Sequence, residues 1–130
     1  MSKPIVLDSS VVLGALLYET MQDVALRAVT GGAFISAVNL SEVLAKLQER
    51  GASEQDAEAA VERLGLTVVP FDNDQAKQAA RWRRATKGFG LGLGDRACIA
   101  LGNRLEGEIL TLDRAWTQVA SPAPILYVRG

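Results

Sequence analysis

The chain has 130 residues, 48% of them hydrophobic and 22% charged, and carries a formal net charge of −1. That composition fits an ordinary globular protein, with length for one domain (1–130) and a sizeable core. It excludes a global field that would gather nucleic acid. The absence of histidine removes Ser-His-Asp and Cys-His catalysis, His-metal nucleases and ordinary zinc sites, and the single Cys98 excludes an internal disulfide and suits a reducing cytoplasm.

The opening stretch SKPIVLDSSVVLGALL reads as a buried strand, 5–8, that stops on a carboxylate and two serines. Lys3 before an apolar run imitates a signal peptide. Asp8, Ser9 and Ser10 interrupt that run, and no apolar stretch reaches the ~18 residues of a membrane helix, so a cytoplasmic protein with no membrane contact is expected. Two helical pieces fill 11–30 and end at Gly31-Gly32, and a second strand is predicted at 33–36. Leu40, Val43, Leu44 and Leu47 then form a helical stripe closed by Gly51, and Ala57, Ala60, Val61 and Leu64 form another between an N-cap at Ser53 and Gly65. A strand at 67–71, an Ala-rich helix over 73–85, a helix over 95–105 after a glycine-rich approach, and strands at 109–112 and 125–128 complete the pattern. The strands are apolar throughout, as in a sheet covered on both faces. Their alternation with helices predicts an α/β fold with a mainly parallel central sheet.

Four acids share one feature. Asp8 and Asp113 end apolar strands, and Glu42 and Asp95 lie in the first turns of helices. In a parallel α/β sheet, strand C-termini and the helix N-termini that follow them lie on one edge, where such folds bind ligands. Crowded carboxylates raise one another's pKa values unless a cation sits among them, and an all-oxygen cluster suits Mg²⁺ or Mn²⁺. Such ions serve phosphoryl chemistry. Each acid also has a structural reading. Asp8 would cap a helix starting near Val11, and Glu42 would form a capping box with Asn39 and pair with Lys46. Asp95 would sit at a helix dipole, and Asp113 in a turn. Asp72, after TVVPF, meets the same edge criterion and is assigned to capping or turn duty.

The stretches VLDSSVVLG, SAVNLSEVLAKL, VVPFD, GLGLGDRACIALG and ILTLDRAW resemble the PIN-domain ribonucleases, specifically the VapC toxins of bacterial toxin–antitoxin pairs. The resemblance spans nearly the whole chain and implies a PIN-like three-layer sandwich, its central sheet flanked by helices. It implies a Mg²⁺-dependent endoribonuclease, using one or two ions, whose products carry a 5′-phosphate and a 3′-hydroxyl. Asp8, Glu42, Asp95 and Asp113 become the metal-binding and catalytic acids, with Ser9, Ser10 and Thr111 as supporting hydroxyls. The implied partners are a VapB-type antitoxin, an RNA substrate, and a second copy of the chain. DNA would be met only through the antitoxin. Outward-packing Leu16, Leu17 and Tyr18 would suit a homodimer.

The most basic stretch, KQAARWRRATKG, supplies Arg81, Trp82, Arg83, Arg84 and Lys87 as candidate RNA contacts, with Trp82 or Phe89 stacking on a splayed base. The alternative is a solvated helix face with Trp82 on the core or on a dimer surface. Two other functions remain open at this point. One is a Mg²⁺-dependent phosphatase or phosphotransferase with Asp8 as nucleophile, weakened because Ser10 stands where haloacid-dehalogenase-type enzymes place a second Asp. The other is a non-catalytic RNA-binding or interaction module.

Overall fold

The computed structural model describes residues 3–130. β1 (Ile5–Leu7) leads directly into α1 (Ser9–Leu16) and α2 (Asp23–Val29), and β2 (Phe34–Ser36) into α3 (Ala37–Glu49) and α4 (Glu54–Glu62). β3 (Thr67–Val69) precedes α5 (Asn73–Thr86), a 3₁₀ turn (Lys87–Phe89) and α6 (Leu93–Arg104); β4 (Glu108–Thr111) and β5 (Ile125–Tyr127) flank a second 3₁₀ turn (Arg114–Gln118). The sheet order is β3-β2-β1-β4-β5 and every pairing is parallel. This is the expected α/β architecture, with the helices enclosing the central strands.

Alternation along the central strands builds a core on each face. Val6 and Ile109 join Cys98, Ile99, Leu101 and Trp116 on the α6 side, whereas Leu7 and Leu110 join Val11, Val12, Ile35 and Val43 on the other. Successive strand side chains point to opposite faces, so one strand feeds both layers. Gly102 lets α6 approach β4 closely, because a Cβ there would overlap the Ile109 side chain.

Several expectations need correction. Pro70 has no N–H to extend a ladder, and β3 stops at Val69. Both outer strands are partly open, with Thr67, Val68 and Leu126 exposed, so only the inner strands are covered on both faces. Leu16 and Leu17 pack against the core, and Tyr18 alone points outward. The helix expected from Asp95 begins two residues earlier, at Leu93. Among the described residues no helix is long and apolar enough to cross a membrane.

Candidate active site

Topology places the strand-end acids side by side. β1 and β4 are neighbours in register, Leu7 opposite Leu110, and the Asp8 N–H donates to the Leu110 carbonyl at 3.0 Å. The chain after β4 therefore carries Thr111 and Asp113 past the end of β1. On the other side of β1, β2 runs into α3 and delivers Glu42. α6, packed against α3 and β1, delivers Asp95 at the third position of its first turn.

Short hydrogen bonds fix this edge. Asp8 is 3% exposed. It occupies the N-cap position of α1, yet its side chain makes no capping bond. Its carboxylate instead accepts from Ser10 Oγ at 2.6 Å and Thr111 Oγ1 at 2.8 Å, with a longer contact from Ser9 Oγ at 3.4 Å. Ser10 Oγ in turn accepts from the Leu112 N–H at 3.0 Å, and Thr111 Oγ1 from the Asp113 N–H at 3.0 Å. The Thr111 hydroxyl thus ties two of the acids together. Asp113 is exposed and caps the following 3₁₀ turn through the Ala115 N–H.

Glu42 departs from its structural reading. The N-cap of α3 is Ser36, which accepts from the Val38 N–H. Asn39 lies inside the first turn, fully buried. Its amide nitrogen donates to Glu42 Oε1 at 3.0 Å and to the Gly94 carbonyl at 2.9 Å, clamping α3 to the start of α6. Lys46 pairs with Glu49, not with Glu42. The Glu42 carboxylate lies against Gly94, where any Cβ would overlap it. Asn39 and Gly94 went unrecognised as site residues, because the i, i+3 spacing of Asn39 and Glu42 equally describes a helix cap. Asn39 Oδ1 is buried without a hydrogen-bond partner, a cost of roughly 1–3 kcal/mol borne at the site.

The four acids interact electrostatically. Burial pushes the Asp8 carboxyl up, opposed by the Ser10 and Thr111 hydroxyls and reinforced by the charge of Glu42. The Asp95 carboxyl is pushed up to about 6, first by burial and then by Asp8, with Glu42 and Asp113 adding to it. The Gly92 N–H, donating to Asp95 at 3.1 Å, works in the opposite direction. Beneath them, fully buried Cys98 has its thiol pushed well above the ordinary value, by burial first and then by Asp8, Asp95 and Glu42. It is an inert core residue.

No ion pair among the described residues involves any of the four acids. Nor do any three acidic, histidine or cysteine side chains there stand close enough to clasp an ion as positioned. The donors still fit a hard divalent cation in kind: all are oxygens, the charges of its neighbours push the Asp95 carboxyl up, and hydroxyls and an amide hold two of the acids in place. Asp8, Glu42, Asp95 and Asp113 are the residues that would hold it.

The basic stretch divides. Trp82 is half-buried against the cluster containing Leu91, Cys98 and Trp116, while Arg81, Arg83, Arg84 and Lys87 are exposed.

Comparisons with known proteins agree with this architecture. A chain of the DNA-bound VapBC complex from Salmonella typhimurium matches with a TM-score of 0.72 and 19% identity, covering 97% of this chain and 98% of that one. Mycobacterium tuberculosis VapC20, described as a sarcin-ricin-loop-cleaving toxin, matches at 0.71 and 18%, covering 97% and 99%. VapBC2 from Rickettsia felis, bound to a DNA fragment from its promoter, matches at 0.70 and 11%, covering 94% and 96%. Among curated protein sequences there is no match. Structural likeness at such identities speaks to fold alone, but the PIN domain model matches residues 5–122, and the chain belongs to that family.

Proposed function

We propose that this protein is a metal-dependent endoribonuclease, the toxin of a toxin–antitoxin pair. Mg²⁺ is its natural ion and Mn²⁺ a substitute, with one or two ions bound. The observation that carries this reading is the convergence of acid charge on one sheet edge, where Glu42 acts on Asp8, and Asp8, Glu42 and Asp113 act on Asp95, with no ion pair among the described residues to compensate them. Burying the Asp8 carboxylate beside this charge costs several kcal/mol, as a rough figure. The structural neighbours, crystallised as VapBC complexes or described as a sarcin-ricin-loop-cleaving toxin, support the same class.

The chain's own groups have distinct duties. Asp8, Glu42, Asp95 and Asp113 supply the anionic oxygens. Ser10 and Thr111 hold Asp8 through the same carboxylate oxygen, leaving the other with only the long Ser9 contact. Asn39 fixes Glu42 against α6. A divalent ion, when bound, supplies Lewis acidity that activates water and offsets charge on the phosphoryl group and the departing oxygen. The lack of histidine is then no obstacle, since proton abstraction need not fall to an imidazole. A VapB-type antitoxin, a homodimer, contact with operator DNA through the antitoxin only, and residence in the cytoplasm belong to the same proposal.

Cleavage of total RNA by the wild type and by Asp8→Asn, each with Mg²⁺ and with EDTA, tests it. Cleavage by the wild type with Mg²⁺ alone is expected. Cutting that survives both the substitution and the chelator would overturn the proposal, and hydrolysis of small phosphomonoesters in place of RNA would favour a phosphatase.

A further inference from the structure

An acidic sheet edge in a chain of net charge −1 has to admit a polyanion, so cations must stand where the substrate enters. The arginines of α5 do not line up there. Gln75, Ala79, Trp82 and Thr86 form the inward face of that helix, and Arg81, Arg83 and Arg84 fan around its remaining circumference at ~100° per residue. Arg81 lines a groove with Lys77, Asn103 and Arg104, beside the far half of α6. Arg104 lies roughly 13 Å along the helix from Asp95 at 1.5 Å per residue.

The two 3₁₀ turns adjoin the acidic edge in the chain. Lys87–Phe89 runs through Gly90–Gly92 into α6 and Asp95, Arg114–Gln118 follows Asp113, and the two turns pack against each other. Lys87 and Arg114 are exposed, and no ion pair among the described residues involves either. The Arg114 guanidinium lies over the Tyr127 ring, 5.5 Å from its centroid, which limits its freedom and keeps its charge outward. Two large apolar side chains open to solvent here, Phe89 at 37% and Leu93 at 51%. Leu93 immediately precedes Gly94, against which Glu42 rests. Exposed cations and apolar surface thus stand on the two turns that adjoin Asp95 and Asp113 in the chain.

We propose that Lys87, Phe89 and Arg114, with Leu93 beside them, grip the unpaired nucleotides next to the scissile phosphate of an RNA strand. Lys87 and Arg114 take flanking phosphates, and Phe89 stacks on a splayed base. An exposed phenyl ring demands a base free of its partner, so the substrate segment is single-stranded or a loop and not an A-form duplex. This inference rests on the ribonuclease reading and names how that site holds its substrate.

The test uses the full chain and a fluorescent single-stranded RNA 12-mer of mixed sequence. Affinity is read by anisotropy in an Asp8→Asn background, and KM and kcat with Mg²⁺ in the otherwise native protein. Phe89→Ala, Lys87→Gln and Arg114→Gln are each expected to weaken binding about five- to twentyfold and to raise KM with little change in kcat. Lys87→Gln and Arg114→Gln should each lower the slope of log affinity against log salt by about 0.7, whereas Phe89→Ala leaves it unchanged and Phe89→Trp restores binding. Arg63→Gln, an exposed charge on the segment after α4, controls for net charge and should change little. Unaltered affinity and slope in all three variants, with the wild type still binding and cutting the 12-mer, would overturn the grip alone; that result is also expected if this rim serves a protein partner. Equal affinity for a duplex of the same sequence would overturn it too. If the 12-mer is bound with the expected sensitivities but never cut, the grip stands and the nuclease reading falls.

Discussion

Asp8 and Asp72 look alike in sequence and behave oppositely in the fold. Each follows a short parallel strand and precedes a helix. Asp72 is exposed, accepts from the Gln75 N–H at 2.9 Å to cap α5, and receives Arg104 at 2.7 Å. These bonds, the Gln75 N–H first and Arg104 next, hold its carboxyl below the ordinary value. Asp8 is buried, caps nothing with its side chain, pairs with no cation among the described residues, and its carboxyl is pushed up. The difference follows from place in the sheet. β3 is an edge strand whose end meets solvent, whereas β1 is central, with the ends of β2 and β4 on either side. A carboxylate satisfied by its own helix and a nearby guanidinium is structural. One that incurs burial without either is where the proposed ion would find an uncompensated donor.

Breaking the Asp8 side of this comparison has the largest expected effect. Asp8→Asn should lower the RNA-cleavage rate by on the order of 10³-fold while leaving the melting temperature unchanged or raised, because a disfavoured buried charge is removed. Asp72→Asn should leave the cleavage rate at the wild-type level. Equal loss of rate in both variants would mean the two acids differ less than their surroundings suggest.

Next come substitutions that spare the acids and disturb what holds them. Thr111→Val removes the hydroxyl that donates to Asp8 and accepts from the Asp113 N–H, and should cost 10- to 100-fold, as an order of magnitude, in Mg²⁺ affinity or activity. Gly94→Ala sets a methyl against the Glu42 carboxylate and should cost a similar factor, plus about 1–3 kcal/mol of stability from overpacking. Calorimetric Mg²⁺ titration with thermal melts separates the two effects. Wild-type affinity in Gly94→Ala would show that Glu42 is not needed where it stands.

Much of this was legible in the sequence because local chemistry and global topology agree there. Apolar strands ending on Asp8 and Asp113, with helices opened by Ser53 and closed by glycines, define a parallel α/β edge before any coordinates. The strand order was not legible, since which ends adjoin depends on packing between residues a hundred positions apart, such as Leu7 and Leu110. Asn39 was misread for a physical reason. A polar residue three before a glutamate serves a capping box, but with Ser36 as the cap the same spacing turns both side chains toward α6. Likewise the run from Arg81 to Lys87 reads as one patch in sequence, while the helix turns Trp82 inward and spreads its arginines apart.

Protons should compete with the metal. With the Asp95 carboxyl at about 6, Mg²⁺ binding must displace a proton below that pH, so apparent affinity should fall by up to about tenfold per pH unit below 6 and level off above it. The sign for the metal-free fold is the reverse of ordinary acid denaturation. The folded value lies above the ordinary aspartate value of 3.8, so the folded state binds more protons between the two, and Asp95 contributes destabilisation that grows as pH rises across that window. Thermal melts from pH 4 to 7, with and without Mg²⁺, check this. Asp95→Asn should weaken the metal-free trend and leave the part that Asp8, also pushed up, contributes in the same direction; an undiminished trend in the variant would assign it to Asp8 alone or to another group.

Asp72 gives the smallest effect and the opposite sign. Its folded value lies below the ordinary one, so the unfolded chain binds the proton more readily, and its contribution is complete above the unfolded value and lost as pH falls toward the folded one. Arg104 is about half exposed, so solvent screens the pair and its worth is small. Arg104→Gln should therefore lower the melting temperature by only about 2 °C or less near neutral pH, and by nothing once Asp72 is protonated. High salt should erase the same difference, because the pair faces water. A fall several times larger that resists salt would mean that Arg104 acts through its packing along the α5–α6 groove, leaving Asp72 structural through its cap alone.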